Sequence, residues 1–127
     1  MDVTTHRGQG PMQQVIEIGP HRLLTDVSPE FGGEASGPEP HDLLAAALAA
    51  CTTLTVNLYA KRKAYRLDEV QVKISHGQEG AAYALHRSIR YVGALSEEEK
   101  QRLTDIANKC PVHKTLSGQI QITTEAA

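Results

Sequence analysis

The stretch from residue 41 to about 63 contains neither proline nor glycine and carries five alanines between positions 45 and 50. Alanine gives up almost no side-chain freedom on entering a helix, so the segment reads as one continuous helix. At 1.5 Å per residue it would run roughly 35 Å, long for a chain of 127 residues. Leu44, Leu48, Cys51, Thr55 and Leu58 recur at alternating spacings of four and three, which predicts one stripe facing protein with Cys51 in it. The many small side chains let another helix come close, and a partner subunit could cover part of this surface.

The remaining elements are read from local patterns on either side of that helix. Residues 13–18 and 22–27 are β-branched or leucine-rich and are separated by Gly19 and Pro20, which predicts a hairpin. Residues 28–40 hold three prolines and three glycines and read as a connecting loop. Val70, Val72 and Ile74 alternate with Gln71, Lys73 and Ser75 as in a half-buried strand. A turn over 77–80 leads to a second long strand with Tyr83, Leu85, Arg87, Ile89 and Tyr91 on one face. Arg87 interrupts that apolar face and is expected to be a salt partner at the sheet end, ahead of a buried recognition residue. Ser96 and Glu99 have the spacing of a capping box for a helix running toward Lys109. Pro111 suits the first turn of a further helix, which places Cys110 near its N-cap. Residues 119–125 resume alternation through Ile120 and Ile122, predicting a closing strand. The order is ββαββααβ, an α+β fold with antiparallel hairpins in a single domain over 1–127, whose N-terminal segment 1–11 is expected to be flexible.

Thirteen basic and fifteen acidic residues give a net charge of -2, no field for holding a phosphate backbone. Lys61, Arg62 and Lys63 suit the negative end of a helix and lack interleaved aromatics, so no nucleic-acid partner is expected. The polar start of the chain has no apolar run typical of a secretory signal. The apolar run at 43–50 is short of the ~20 residues a bilayer requires, so no membrane partner is expected. These features point to the cytoplasm, where two cysteines rarely form a permanent staple.

Cys51, among leucines and alanines, reads first as an inert core thiol. Cys110 has a local reason for activation, because backbone donors at a helix start lower a thiol pKa. His113, three positions on, suits either a base or a cap. Asp42 reads as a helix-start carboxylate; alternatively Asp42 or His41 organises a basic side chain near a thiol. The cysteines are too far apart for a local CxxC motif, and the histidines show no zinc-like clustering. Neither a phosphate loop nor a haem spacing is present, so no bound cofactor is expected.

Two motifs go further. GGEASGPEPHDLLAAALAACTTLTV, residues 32–56, resembles the cysteine helix of the osmotically induced and organic hydroperoxide resistance family. NKCPVHKTL, residues 108–116, resembles its resolving-cysteine segment. With the order of elements, the resemblance covers most of the chain after residue 12. It implies an intertwined α+β homodimer with an antiparallel sheet, a long central helix and two thiol sites at the subunit interface. It also implies that Cys51 is the peroxidatic residue and Cys110 the resolving one, with a peroxide as substrate and an external dithiol as reductant. The family's glutamate ten positions before the first cysteine is His41 here, with Asp42 next to it. Histidine lacks a carboxylate's bidentate acceptor geometry. The family's catalytic arginine comes from the amino-terminal sheet, where Arg22 is the first candidate and Arg7 the second. The function expected is thiol-dependent reduction of organic or hydrogen peroxides through a Cys51 to Cys110 disulfide. The alternative is a noncatalytic redox sensor or small-ligand-binding protein that keeps the fold.

Overall fold

Gly19 adopts a φ of 56°, a left-handed value that glycine reaches without Cβ strain, and the chain reverses there. The computed structural model describes residues 1–127 and divides into two compact units, Met1–Leu44 and Ala45–Ala127. In the first, β1 (Val3–Arg7), β2 (Gln14–Ile18) and β3 (His21–Thr25) form an antiparallel sheet in the order β1-β2-β3. The Gly19 turn aligns Ile18 with His21 and Gln14 with Thr25. The segment expected to be flexible contains β1, with Val3 opposite Ile18 and Arg7 opposite Gln14. All five β1 residues are exposed, so no apolar alternation announced a strand whose order comes from its ladder with β2.

The loop after β3 is built around a carboxylate. Asp26 is 4% exposed and accepts hydrogen bonds from the N–H groups of Val27, Glu34 and Ser36 at 2.7, 3.2 and 3.1 Å. The Ser36 hydroxyl donates to it as well, at 2.5 Å. Gln13, also buried, donates to Ser36 Oγ at 3.0 Å and so joins β2 to the same network. A Cβ at Gly33 would collide with the Val27 carbonyl and Asp26 Oδ1, so glycine lets the loop wrap this tightly. A 3₁₀ turn, Pro29–Phe31, lies within it. The Ser36 hydroxyl first, then the Ser36, Val27 and Glu34 N–H groups, lower the Asp26 pKa to about 2 despite its burial.

Helix α1 (Pro40–Arg62) matches the expected segment within a residue at each end. Pro40 occupies a first-turn position where its missing N–H is not needed. Asp42 Oδ2 accepts the Glu39 N–H at 3.0 Å, the helix-start role read from the sequence. Lys61 and Arg62 occupy the last turn. By length and composition α1 is apolar enough to cross a membrane, which corrects the shorter run counted over 43–50.

The face that α1 buries differs from the predicted one. Ala45, Leu48, Thr52, Val56 and Ala60 are buried, whereas Cys51 is half-buried and Leu58 is exposed. A helix that is apolar on nearly every side offers no moment to select a face, so spacing alone could not place the stripe. In the second unit Val56 and Ala60 pack with Val70, Leu103 and Ala107 to form the core.

Two long strands flank that core. β4 (Leu67–Glu79) and β5 (Ala82–Gly93) pair antiparallel from Leu67 opposite Gly93 to Glu79 opposite Ala82. The connection is Gly80–Ala81, with Gly80 at a φ of 60°, so the strands continue through the expected 77–80 turn. Glycine at the first loop position favours a two-residue reversal. Helix α2 (Glu97–Ala107) starts with the predicted capping box: Ser96 Oγ accepts the Glu99 N–H at 3.1 Å, and Glu99 Oε1 accepts the Ser96 N–H at 2.9 Å. Helix α3 (Pro111–Ser117) follows. The strand expected over 119–125 is absent, and Ile120 and Ile122 are 57% and 83% exposed. Alternation supplies side chains for a strand but not the neighbouring ladder it requires. The observed order is βββαββαα, still α+β with antiparallel sheets.

The low Asp26 pKa makes the first unit acid-sensitive. Its folded value of about 2 lies below the ~3.9 of an unfolded aspartate, so its stabilisation is complete above about pH 4 and disappears as pH falls through about 2. Asp26→Asn is expected to destabilise the protein at neutral pH and flatten the acid limb over that window. Urea unfolding at stepped pH measures both; an unchanged acid limb would refute the assignment.

Candidate thiol site

Pro111 begins α3, and the N–H groups of the next two residues have no partner within the helix. Each is taken by a different sulfur. Val112 N–H donates to Cys51 Sγ at 3.5 Å, and His113 N–H donates to Cys110 Sγ at 3.4 Å. Cys110 is the N-cap, as the Cys-Pro order predicted, with extended dihedrals of -65° and 146°. Cys51 arrives from α1, contacts Thr55 Oγ1 at 3.9 Å and lies close enough to Cys110 to help lower its pKa. Both cysteines are free thiols; Cys110 is buried and Cys51 half-buried. The fold therefore joins two sulfurs that are remote in sequence on one turn of α3.

Beside them lies a cation that the sequence reading misplaced. Thr52 is fully buried on α1; its hydroxyl donates to the Leu48 carbonyl at 2.7 Å and accepts Arg87 Nη1 at 2.9 Å. The same oxygen is 3.9 Å from Cys110 Sγ. Arg87, from the inner face of β5, donates through Nη2 to Asn108 Oδ1 at 3.0 Å and His113 Nδ1 at 2.9 Å. It is therefore not a salt partner at the sheet end, because all three acceptors are uncharged. A guanidinium N–H facing Nδ1 requires that nitrogen to accept, which fits neutral His113 with its proton on Nε2. The His113 backbone N–H, rather than its ring, reaches the sulfur.

These contacts bear on the ionisation of Cys110. Burial pushes its thiol pKa up, but the hydrogen bond from His113 N–H, the neighbouring Cys51 and Thr52 side chains and the Arg87 charge carry it below the ordinary thiol value. Arg87 and His113 also line a cleft of about 250 Å³ with Leu48, Tyr83, Leu85 and Leu116. No three histidine, cysteine or carboxylate side chains are grouped to hold a metal ion.

The other predicted residues lie in the first unit. Arg22 on β3 donates Nε to Glu17 at 3.1 Å and is 69% exposed. Arg7 belongs to exposed β1, Asp42 closes the start of α1, and His41 is exposed beside it. The sulfur network itself consists of second-unit residues. Thr52 and Asn108 escaped notice: a threonine one step off the predicted stripe reads as solvent-facing, and an asparagine before Lys-Cys-Pro reads as a helix end. The available signal was Arg87 on an otherwise apolar strand face.

The family described as OsmC-like protein matches residues 33–125. The chain belongs to that family. Its fold is also that of OsmC-like solved structures. The OsmC-like protein of Mycoplasma pneumoniae is 23% identical, with 92% of this chain and 86% of that chain covered and a TM-score of 0.78. The organic hydroperoxide resistance protein OsmC of Legionella pneumophila is 22% identical, with 92% and 88% covered and a TM-score of 0.66. The organic hydroperoxide resistance protein OhrB of Bacillus subtilis is 21% identical, with 92% and 90% covered and a TM-score of 0.63. No curated protein sequence matches the chain. In this OsmC-like chain, as in the motif resemblance, the paired cysteines come from the long helix and the Cys-Pro turn.

Thr52 provides a direct test of the network. Thr52→Val keeps the side-chain shape but removes the acceptor for Arg87, an interaction with a charged donor worth about 1.5–3 kcal/mol. Denaturant unfolding of the reduced protein is expected to show a loss in that range. A neutral result would show that the Thr52 bond contributes little to stability.

Proposed function

We propose that this OsmC-like chain reduces hydroperoxides by dithiol chemistry, with Cys51 attacking and Cys110 resolving. The observation that supports it most directly is the pair of free thiols that accept neighbouring N–H groups of α3. Greater exposure of Cys51 favours it as the sulfur that meets substrate. The names of the Legionella and Bacillus structures point to organic hydroperoxides for those relatives, and the apolar wall of Leu48, Leu85 and Leu116 suits an organic substituent.

Cys51 thiolate attacks the distal peroxide oxygen, the O–O bond breaks, and the leaving alkoxide takes a proton to become an alcohol. Cys51 is left as a sulfenic acid. Cys110 then forms the S–S bond as water leaves. An external dithiol restores both thiols by exchange and is itself oxidised to a disulfide. In this reading the peroxide-side cation is Arg22, with Arg7 the second candidate, and Asp42 with His41 takes the place of the family's glutamate. A reducing compartment such as the cytoplasm supplies the dithiol.

The active assembly in this reading is a homodimer. Leu54 and Leu58 on α1 are 70% and 49% exposed, although a helix apolar all round ordinarily has protein on every side. Light scattering is expected to give twice 13.8 kDa across dilute and concentrated samples; a stable, fully active monomer would refute the dimer requirement.

The chemical assignment predicts different outcomes at the two sulfurs. Cys51→Ser should fold but consume no hydroperoxide, because a serine hydroxyl lacks thiolate nucleophilicity. Cys110→Ser should complete the first oxidation and stop at Cys51 sulfenic acid, open to further oxidation. Single-turnover assays with trapping of the sulfenic acid and peptide mass analysis distinguish these outcomes. Undiminished first turnover in Cys51→Ser, with sulfenic acid on Cys110, would reverse the assignment.

A further inference from the structure

We infer that Arg87 is a positioning residue for the second half of this cycle, holding Cys110 as the thiolate that attacks oxidised Cys51. The inference deepens the dithiol reading and depends on Cys51 being the sulfur oxidised first. In a disulfide-forming condensation the effective attacking species is a thiolate. Cys110 is fully buried, so the protein must replace the solvation that water would give its negative charge.

Three elements face this sulfur with groups that bear on its charge. Helix α1 brings the Cys51 thiol and the neutral Thr52 hydroxyl; α3 brings the His113 N–H and its imidazole; β5 brings the charge of Arg87. The imidazole presents its accepting nitrogen to the guanidinium, leaving Arg87 as the permanent cation in the network. Its one hydrogen bond through Nη1 goes to Thr52 Oγ1, and two through Nη2 fix its orientation on Asn108 and His113. Since those acceptors carry no charge, the positive potential is not cancelled by a carboxylate.

Thr52 transmits that potential. Arg87 binds its oxygen, the proton is given to the Leu48 carbonyl, and the oxygen is 3.9 Å from Cys110 Sγ. When Cys110 loses its proton, rotation of the hydroxyl turns that hydrogen toward the sulfur anion. The thiolate then attacks the sulfenic sulfur of Cys51. The S–S bond forms and the S–O bond breaks; Cys110 sulfur is oxidised as Cys51 sulfur is reduced. Hydroxide leaves and combines with the proton equivalent released by Cys110 to give water.

The test compares Arg87→Gln, Arg87→Lys and Thr52→Val. In a Cys51→Ser background, ultraviolet thiolate absorbance reports Cys110 ionisation without peroxide. Arg87→Gln is expected to raise its midpoint by about one pH unit, with Arg87→Lys recovering part of the shift and Thr52→Val also raising it. With both cysteines present, one equivalent of cumene hydroperoxide is mixed rapidly and Cys51 sulfenic acid is trapped over time. Its lifetime should lengthen roughly tenfold in Arg87→Gln and return toward wild type in Arg87→Lys. Should Arg87→Gln fail to fold, the Lys and Val variants carry both measurements. Unchanged ionisation and unchanged disulfide closure in folded variants would overturn the role of Arg87. Failure of the wild type to consume hydroperoxide would instead reject the peroxidase reading, while the Cys51→Ser titration would still test the charge coupling.

Discussion

The guanidinium of Arg87 is the tie on which the second unit's polar interior depends. One β5 side chain engages Thr52 of α1, Asn108 at the end of α2 and His113 of α3. Thr52 can be fully buried because its proton and its oxygen both have partners. Removing either would leave a polar group without water in a close-packed interior. The apolar core of Val56, Leu103 and Ala107 provides burial, whereas the Arg87 contacts select how helix and strand ends meet.

The same arrangement solves a problem of helix termination. Every helix begins with N–H groups its own turns cannot satisfy. Here the acceptors at α3 are sulfur atoms, one local and one from a distant helix. A structural requirement and a chemical opportunity therefore share the same atoms. Donors that complete the helix also favour negative charge on sulfur, which connects backbone geometry to redox chemistry.

Much of this was legible in the sequence. The long helix, the β2–β3 reversal, the Ser96 capping box and Cys110 as an N-cap follow from local chemistry and were found where expected. Features set by tertiary partners were not. The α1 stripe was rotated because alanine and leucine occur on several sides of the helix. The role of Arg87 depended on uncharged acceptors from three other elements, a combination that strand periodicity does not encode. β1 was missed because its residues are exposed, and the alternation at 119–125 lacked a ladder. Asp26 was absent from the sequence reading because a carboxylate beside a loop resembles any surface aspartate until backbone donors converge on it.

The tight Gly80–Ala81 reversal acts as an alignment gauge for the whole β4–β5 ladder. It sets Glu79 opposite Ala82 and, further along, Ile74 opposite Arg87. Side chains change face at every residue of a strand, so a slip by one position would turn Arg87 outward and bring Ser88 inward. A loop with no chemical role thus controls the polarity of a distant interior: gaining or losing one residue there would exchange a cation for a small hydroxyl while leaving both cysteines in the sequence.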